Sequence, residues 1–251
     1  MLRSVFLIFL LLAAVLGAPQ PSSRILGGRN VFLGELPYQV SLRYWGTPDH
    51  FAGGVLLNTR WVLTTAHGVF IHPGNGIDII LGIIRVDTGE SMRSSEIRVH
   101  PLFDNILLIN DIATIRTQLV IELSSFVSPI SLSPFMVGDG IIAHVSRWGA
   151  LDKNATQHSV FLQKVDVSTG PCIDTKNMTF SAINHICAGN YEENQEPTVG
   201  ICTTDVGGPL VLNNMLIGIP FYHDPRGCGV VLDGYMRILS YRGWIMANSP
   251  E

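Results

Sequence analysis

Three short stretches hold side chains that could do chemistry. In "WVLTTAHGV", His67 follows an apolar run, and an imidazole can take or give a proton near neutral pH. In "NDIATI", Asp111 puts a carboxylate at the start of another apolar run. In "ICTTDVGGPL", Thr203 and Thr204 offer hydroxyls and Asp205 a second carboxylate, ahead of a Gly-Gly-Pro turn. A base, a charge and a hydroxyl are ingredients of proton transfer and nucleophilic attack. Taken singly, each has a plain structural explanation. A histidine after an apolar strand is usually packed, and an aspartate before a strand or a glycine-rich turn is a common turn former. Metal chemistry has less to stand on. His72, His100, His144, His158 and His185 lack short-range ligand spacing. Asp78, Asp87 and Glu90 lack the dense carboxylate pattern of a calcium loop. No metal and no cofactor is expected.

The elements that must hold these residues read as β. "PYQVSLRYW" alternates around Val40 and Leu42, and "WVLTTAH", "IDIILGIIRV" and "MLIGIPFY" are short β-branched or aromatic runs. Breaks rich in Gly, Pro and Asn divide them, the signature of an all-β sandwich or barrel. One helix is expected at the end, over "YRGWIMANS". The turn-rich zone "SLSPFMVGDG", Ser131 to Gly140, joins two halves and is flanked directly by apolar runs, so it is not a flexible linker. A chain of 251 residues with 47% hydrophobic and 14% charged residues can bury a large core and is too sparsely charged for disorder. Its net charge of -4 argues against nucleic acid, heparin or acidic membranes as main partners.

The start of the chain sets the compartment. "MLRSVFLIFLLLAAVLGAPQ" places Arg3 before an apolar run from Val5 to Leu16. That run suits a signal peptide and is short for a membrane anchor. Pro19 disfavours a cut after Ala18, so the signal peptide is placed at residues 1–17. No later run is long enough to span a bilayer, so no membrane association is expected once the signal is removed. Secretion permits disulfides. The four cysteines, Cys172, Cys187, Cys202 and Cys228, allow three pairings. Asn154-Ala155-Thr156 and Asn177-Met178-Thr179 are glycan acceptor triplets.

In their order and spacing, the motifs resemble the chymotrypsin–trypsin family of serine peptidases over almost the whole chain after the signal. "RILGG" is similar to the family's activation-cleavage site and "PYQVSLR" to the strand after it. "WVLTTAH" carries the family's histidine, "HPLFDN" and "NDIATI" lead to its aspartate, and "SRWGAL" opens its second half. "CTTDVGGPL" is similar to the nucleophile loop, and "GYMRI" with "GWI" to the closing strand and helix. The resemblance implies two antiparallel six-stranded β-barrels with the active site between them. It implies residues 18–24 as a short propeptide and 25–251 as the peptidase-like domain.

Carried over residue by residue, the resemblance gives a split site. His67 matches the general base and Asp111 its orienting carboxylate, while Val206 occupies the nucleophile position. An isopropyl group cannot be deprotonated or acylated. Losing the serine of such an enzyme costs about 10⁶ in turnover, roughly 8 kcal/mol. Thr203 and Thr204 are displaced from that position by ångströms, against a tolerance of about 1 Å. Thr204 stands where the family has an oxyanion-hole glycine, and a β-branched residue resists that conformation. Phe221, Tyr222 and His223 match the substrate-binding segment, with Phe221 and His223 expected to obstruct the cleft. Gly200 aligns with the base of the specificity pocket and removes the acid that would select Lys or Arg; Asp233 is a second candidate for the pocket wall, the register from Cys228 to Tyr235 being open.

Ala52 and Gly68 stand where the family keeps a disulfide beside the histidine, which implies Cys172–Cys187 and Cys202–Cys228 for the rest. The activation parts match: cleavage after Arg24 would free the Ile25 amine to pair with Asp205. The expected protein is a secreted, monomeric, non-catalytic homologue that binds a protein partner, a protease or its substrate, in an extracellular cascade. The alternatives are an active serine-type endopeptidase with chymotrypsin-like apolar preference and a storage-like glycoprotein.

Overall fold

The computed structural model describes residues 28–72, 74–149, 159–175, 178–190, 201, 205–226 and 231–251. Within them the strands are β1 (Arg29–Asn30), β2 (Gln39–Tyr44), β3 (His50–Leu56), β4 (Trp61–Thr64), β5 (Ile77–Leu81), β6 (Ser91–Val99) and β7 (Ala113–Thr117). After them come β8 (Ser131–Leu132), β9 (Ile142–Arg147), β10 (Gln163–Gly170), β11 (His185–Gly189), β12 (Leu210–Leu212), β13 (Met215–Tyr222), β14 (Asp233–Arg237) and α1 (Ile238–Asn248).

Strands β2 to β7 close a first barrel in the order β2-β3-β4-β7-β6-β5. Its interior holds Val40, Leu42, Ala52, Leu56, Val62, Ile77, Ile79 and Ile115. Each fully buried aliphatic side chain contributes roughly 1.5–3 kcal/mol of hydrophobic stabilisation. The second barrel runs β9-β10-β11-β14-β13-β12 and closes by pairing β12 with β9. Val145, Val165, Val167, Ile186, Leu210, Ile217 and Tyr235 fill it. This is the expected pair of antiparallel six-stranded barrels. β1 adds to β10, and β8 runs parallel to β13.

A shared cluster spans the seam, with Val55, Leu63 and Ile112 from the first half against Val211, Leu216 and Ile219 from the second. Polar bonds cross it too: Ser146 Oγ donates to Gln39 Oε1 at 2.6 Å, and Tyr38 Oη meets His144 Nε2 at 3.2 Å. Burial, helped by Lys164, lowers the His144 imidazole to a pKa of about 4.

The C-terminal helix starts three residues before the expected "YRGWIMANS". No side chain caps its start at Arg237, and packing of Ile238, Tyr241 and Ile245 holds it. The first barrel ties down its end, where Thr114 Oγ1 donates to Asn248 O at 3.0 Å and Asn58 Nδ2 to Ser249 O at 2.9 Å.

Candidate active site

The pairing of β4 with β7 sets Thr64 opposite Ala113. His67 lies just past the end of β4 and Asp111 just before β7, so antiparallel pairing brings the two to one rim of the barrel. There Asp111 accepts twice from His67: Oδ1 from the backbone N–H at 2.7 Å, and Oδ2 from Nδ1 at 2.5 Å. The carboxylate is fully buried and the ring is 27% exposed. With Nδ1 committed as donor, the neutral ring keeps its lone pair on Nε2, the arrangement of a general base.

Across the seam, Val206 sits in the turn after Asp205. Its carbonyl accepts the Gly53 N–H at 2.8 Å, and Gly207 N–H donates to Pro220 O at 3.0 Å. The turn needs glycine at 207. Its φ is +82°, and a Cβ there would lie 2.2 Å from Thr64 Oγ1. Val206 is 7% exposed and packs in the same apolar cluster as Ala52 and Ala66, the neighbour of His67. The residue after Asp205 therefore presents an isopropyl group, with no proton to give and no lone pair to attack with.

Comparison with known proteins identifies the family and the fold. The trypsin family model matches residues 25–245. The chain belongs to the trypsin family. It is 31% identical to trypsin II-P29 of Gallus gallus, over 97% of each chain. It is 29% identical to brachyurin of Leptuca pugilator, over 90% of this chain and 98% of that one. Among solved structures it resembles neuropsin, a serine protease expressed in the limbic system of mouse brain. The TM-score is 0.74 with 26% identity, covering 88% of this chain and 97% of that one.

Other trypsin-family positions are placed as follows. A Cβ built on Gly68 lies 3.7 Å from the Ala52 Cβ, so the two face each other. Cys172 and Cys187 are bonded, with Cα atoms 5.2 Å apart. Arg24, Ile25, Gly200, Thr204, Cys202, Cys228, Asn154 and Asn177 lie outside the described residues, as do the signal and propeptide segments.

Phe221 is buried in the apolar cluster at the seam. Its ring is 2% exposed, because barrel two offers an aromatic cluster that receives it. Ring centroids lie 4.9 Å from His185 and 6.4 Å from Phe180. Burial, with Arg237 nearby, lowers His185 to a pKa of about 4. Tyr222 Oη meets Thr175 Oγ1 at 2.9 Å, and His223 is half-buried. Asp233, on β14, accepts the Ile201 N–H at 2.7 Å and so sits beside the residue that follows Gly200 in sequence. Burial pushes its carboxyl well above the usual carboxylate range.

Sequence reasoning missed Arg147. Its Nη1 donates to Asp205 Oδ2 at 2.7 Å, with side chains 2% and 0% exposed. The signal was present in the alternation of β9, where Ala143, Val145 and Arg147 all point inward. A cation on that face requires a buried partner. Among the described residues no three His, Cys, Asp or Glu side chains gather as a metal site would need. No described helix is long and apolar enough to cross a membrane.

Proposed function

We propose that this chain is a secreted, non-catalytic member of the trypsin family that binds a protein partner in an extracellular proteolytic cascade. The observation that carries the reading is Val206, a buried isopropyl group in the apolar cluster that also holds Ala66, the residue before His67 of the well-formed His67–Asp111 pair. General-base geometry without a nucleophile cannot form an acyl-enzyme. Binding is supported by exposed apolar side chains close in sequence to the two dyad residues: Phe70 and Ile71 after His67, and Leu102, Ile106 and Leu107 before Asp111. The two segments meet where the Phe70 ring packs edge-on against Phe103, with centroids 5.6 Å apart, and exposed apolar surface so joined is a feature of protein-binding faces. In this reading residues 1–17 direct secretion, residues 18–24 form a short propeptide, and Asn154 and Asn177 carry glycans on a monomer.

The test is peptidase activity on a broad peptide library. Wild type is compared with Val206→Ser and with a His67→Ala, Val206→Ser control, each cut after Arg24. The reading expects wild type to match the control. Cleavage by wild type above the control would make the protein an endopeptidase with an unconventional nucleophile. A fluorophosphonate probe, which labels activated hydroxyls, checks the same point independently.

A further inference from the structure

We propose that Arg147 is a resident counter-cation for Asp205, which orders the Asp205–Gly208 turn without any cut at Arg24. The sequence expectation assigns that role to the freed Ile25 amine. In the uncut chain, however, the Asp205 carboxylate already receives a guanidinium N–H at 2.7 Å, and neither side chain is appreciably exposed. Both partners are held by the fold. Arg147 ends β9, a strand paired along its whole length with β10. The Asp205 carboxylate lies over Gly149, where any Cβ would fall 1.9 Å from Oδ1, so glycine leaves room for the carboxylate to turn inward.

Charge balance points the same way. Asp233 and Tyr235 share this end of the second barrel with the pair and interact electrostatically with it. Burial favours the neutral form of both. Arg147 supplies a cation to this buried carboxylate, and a buried charge stripped of its partner is costly. Arg147 thus acts as a positioning residue, through Asp205, on the turn that bears Val206. The inference stands apart from the proposed function, since it holds whether or not the cleft is catalytic.

The test crosses cleavage with the cation. The secreted chain is prepared uncut, with Arg24→Gln, and cut, with a specific protease sequence ending just before Ile25. Melting temperature and the rate of limited thermolysin digestion are read on both forms. Wild type is expected to melt within about 2 °C in the two forms, less than the shift from about 1 kcal/mol in a chain this size. Arg147→Met is expected to melt about 10 °C lower when uncut. Cutting should restore much of that loss, because the Ile25 ammonium can now reach the vacated carboxylate. Arg147→Lys keeps a cation and should be as indifferent to cutting as wild type. A merely structural arginine would not make stability depend on cleavage. A wild type that gains several degrees on cutting overturns the proposal, and so does an Arg147→Met chain that cutting does not rescue. If uncut Arg147→Met fails to fold, wild type and Arg147→Lys decide: indifference of both supports the proposal and a response in either sinks it.

Discussion

Ala52→Cys combined with Gly68→Cys should create a disulfide that stabilises the loop carrying His67. The separation of 3.7 Å between the Ala52 Cβ and a Cβ built on Gly68 falls at the centre of the range for bonded cysteines, about 3.8 Å. The Gly68 backbone is outside the left-handed region, so a side chain there carries no conformational penalty, and its tightest neighbour is Thr65 Oγ1 at 3.2 Å. A bridge from residue 52 to residue 68 closes a loop near 15 residues long, for which the lost unfolded-state entropy is about 3 kcal/mol. In a chain of this size that raises the melting temperature by about 6–12 °C. The clean comparison is the oxidised variant against the same protein selectively reduced at the new bond, because it cancels the effect of inserting the sulfur atoms. Thiol titration, peptide mapping and calorimetry read the bond and its effect. Two results would refute the reasoning. Persistent free thiols at 52 and 68, in protein where Cys172–Cys187 forms, would mean the two sites are not adjacent. Full oxidation with no gain in melting temperature would mean the loop was already ordered in the unbridged chain or is strained by the bridge.

Three further outcomes are expected. Asp111→Ala leaves the partly buried His67 backbone N–H and ring without their acceptor and should cost about 3 kcal/mol in urea denaturation, with Asp111→Asn milder because an amide oxygen still accepts. His185, with its folded pKa lowered to about 4 by burial first, leaves stability complete above the unfolded value near 6.5 and loses it as pH falls toward 4. Wild type should therefore lose on the order of 3 kcal/mol across that window through this residue, and His185→Gln should flatten the loss in pH-dependent melting. Asp233 has the opposite sign: its raised pKa means that stability is present in acid and falls as pH rises through the unfolded value of about 3.9 and beyond. The melting temperature of Asp233→Asn relative to wild type should climb from pH 3 to pH 7, and a flat difference would show that this carboxyl does not pay a burial penalty.

Where the pattern of the chain is strictly local, the fold was legible. "MLIGIPFY" is β13 residue for residue, and "PYQVSLRYW" contains β2, because inward Val40 and Leu42 must face a core. The helix start was not, since β14 passes into α1 at Arg237 with no capping side chain to announce it. His67 and Asp111 were legible only through the ordered set of motifs; the contact itself depends on β4–β7 pairing across more than forty residues. The packing of Phe221 was not legible, because a size comparison at one aligned position does not tell which side of a strand the ring takes. That choice was made by Phe180 and His185, which are distant in sequence. Arg147 was available from alternation alone, yet it lies inside a motif whose value as a family marker hid its charge.

The persistence of His67 and Asp111 does not by itself argue for chemistry. Asp111 is fully buried, and one of its two bonds satisfies a backbone N–H that would otherwise be stranded. The pair is thus part of the folded structure of the β4 and β7 ends, and stability alone is reason enough to keep it. Val206 has the converse position. At 7% exposure within the apolar cluster of the first barrel, its methyl groups are core material. Val206→Ser removes them and buries a hydroxyl, which should lower stability by about 1–2 kcal/mol. That number decides how any gain of activity is to be read. A serine that restores cleavage at this cost indicates a cleft still shaped for the reaction. A variant that is silent while losing the same stability indicates that the site has been absorbed into the core along with its nucleophile.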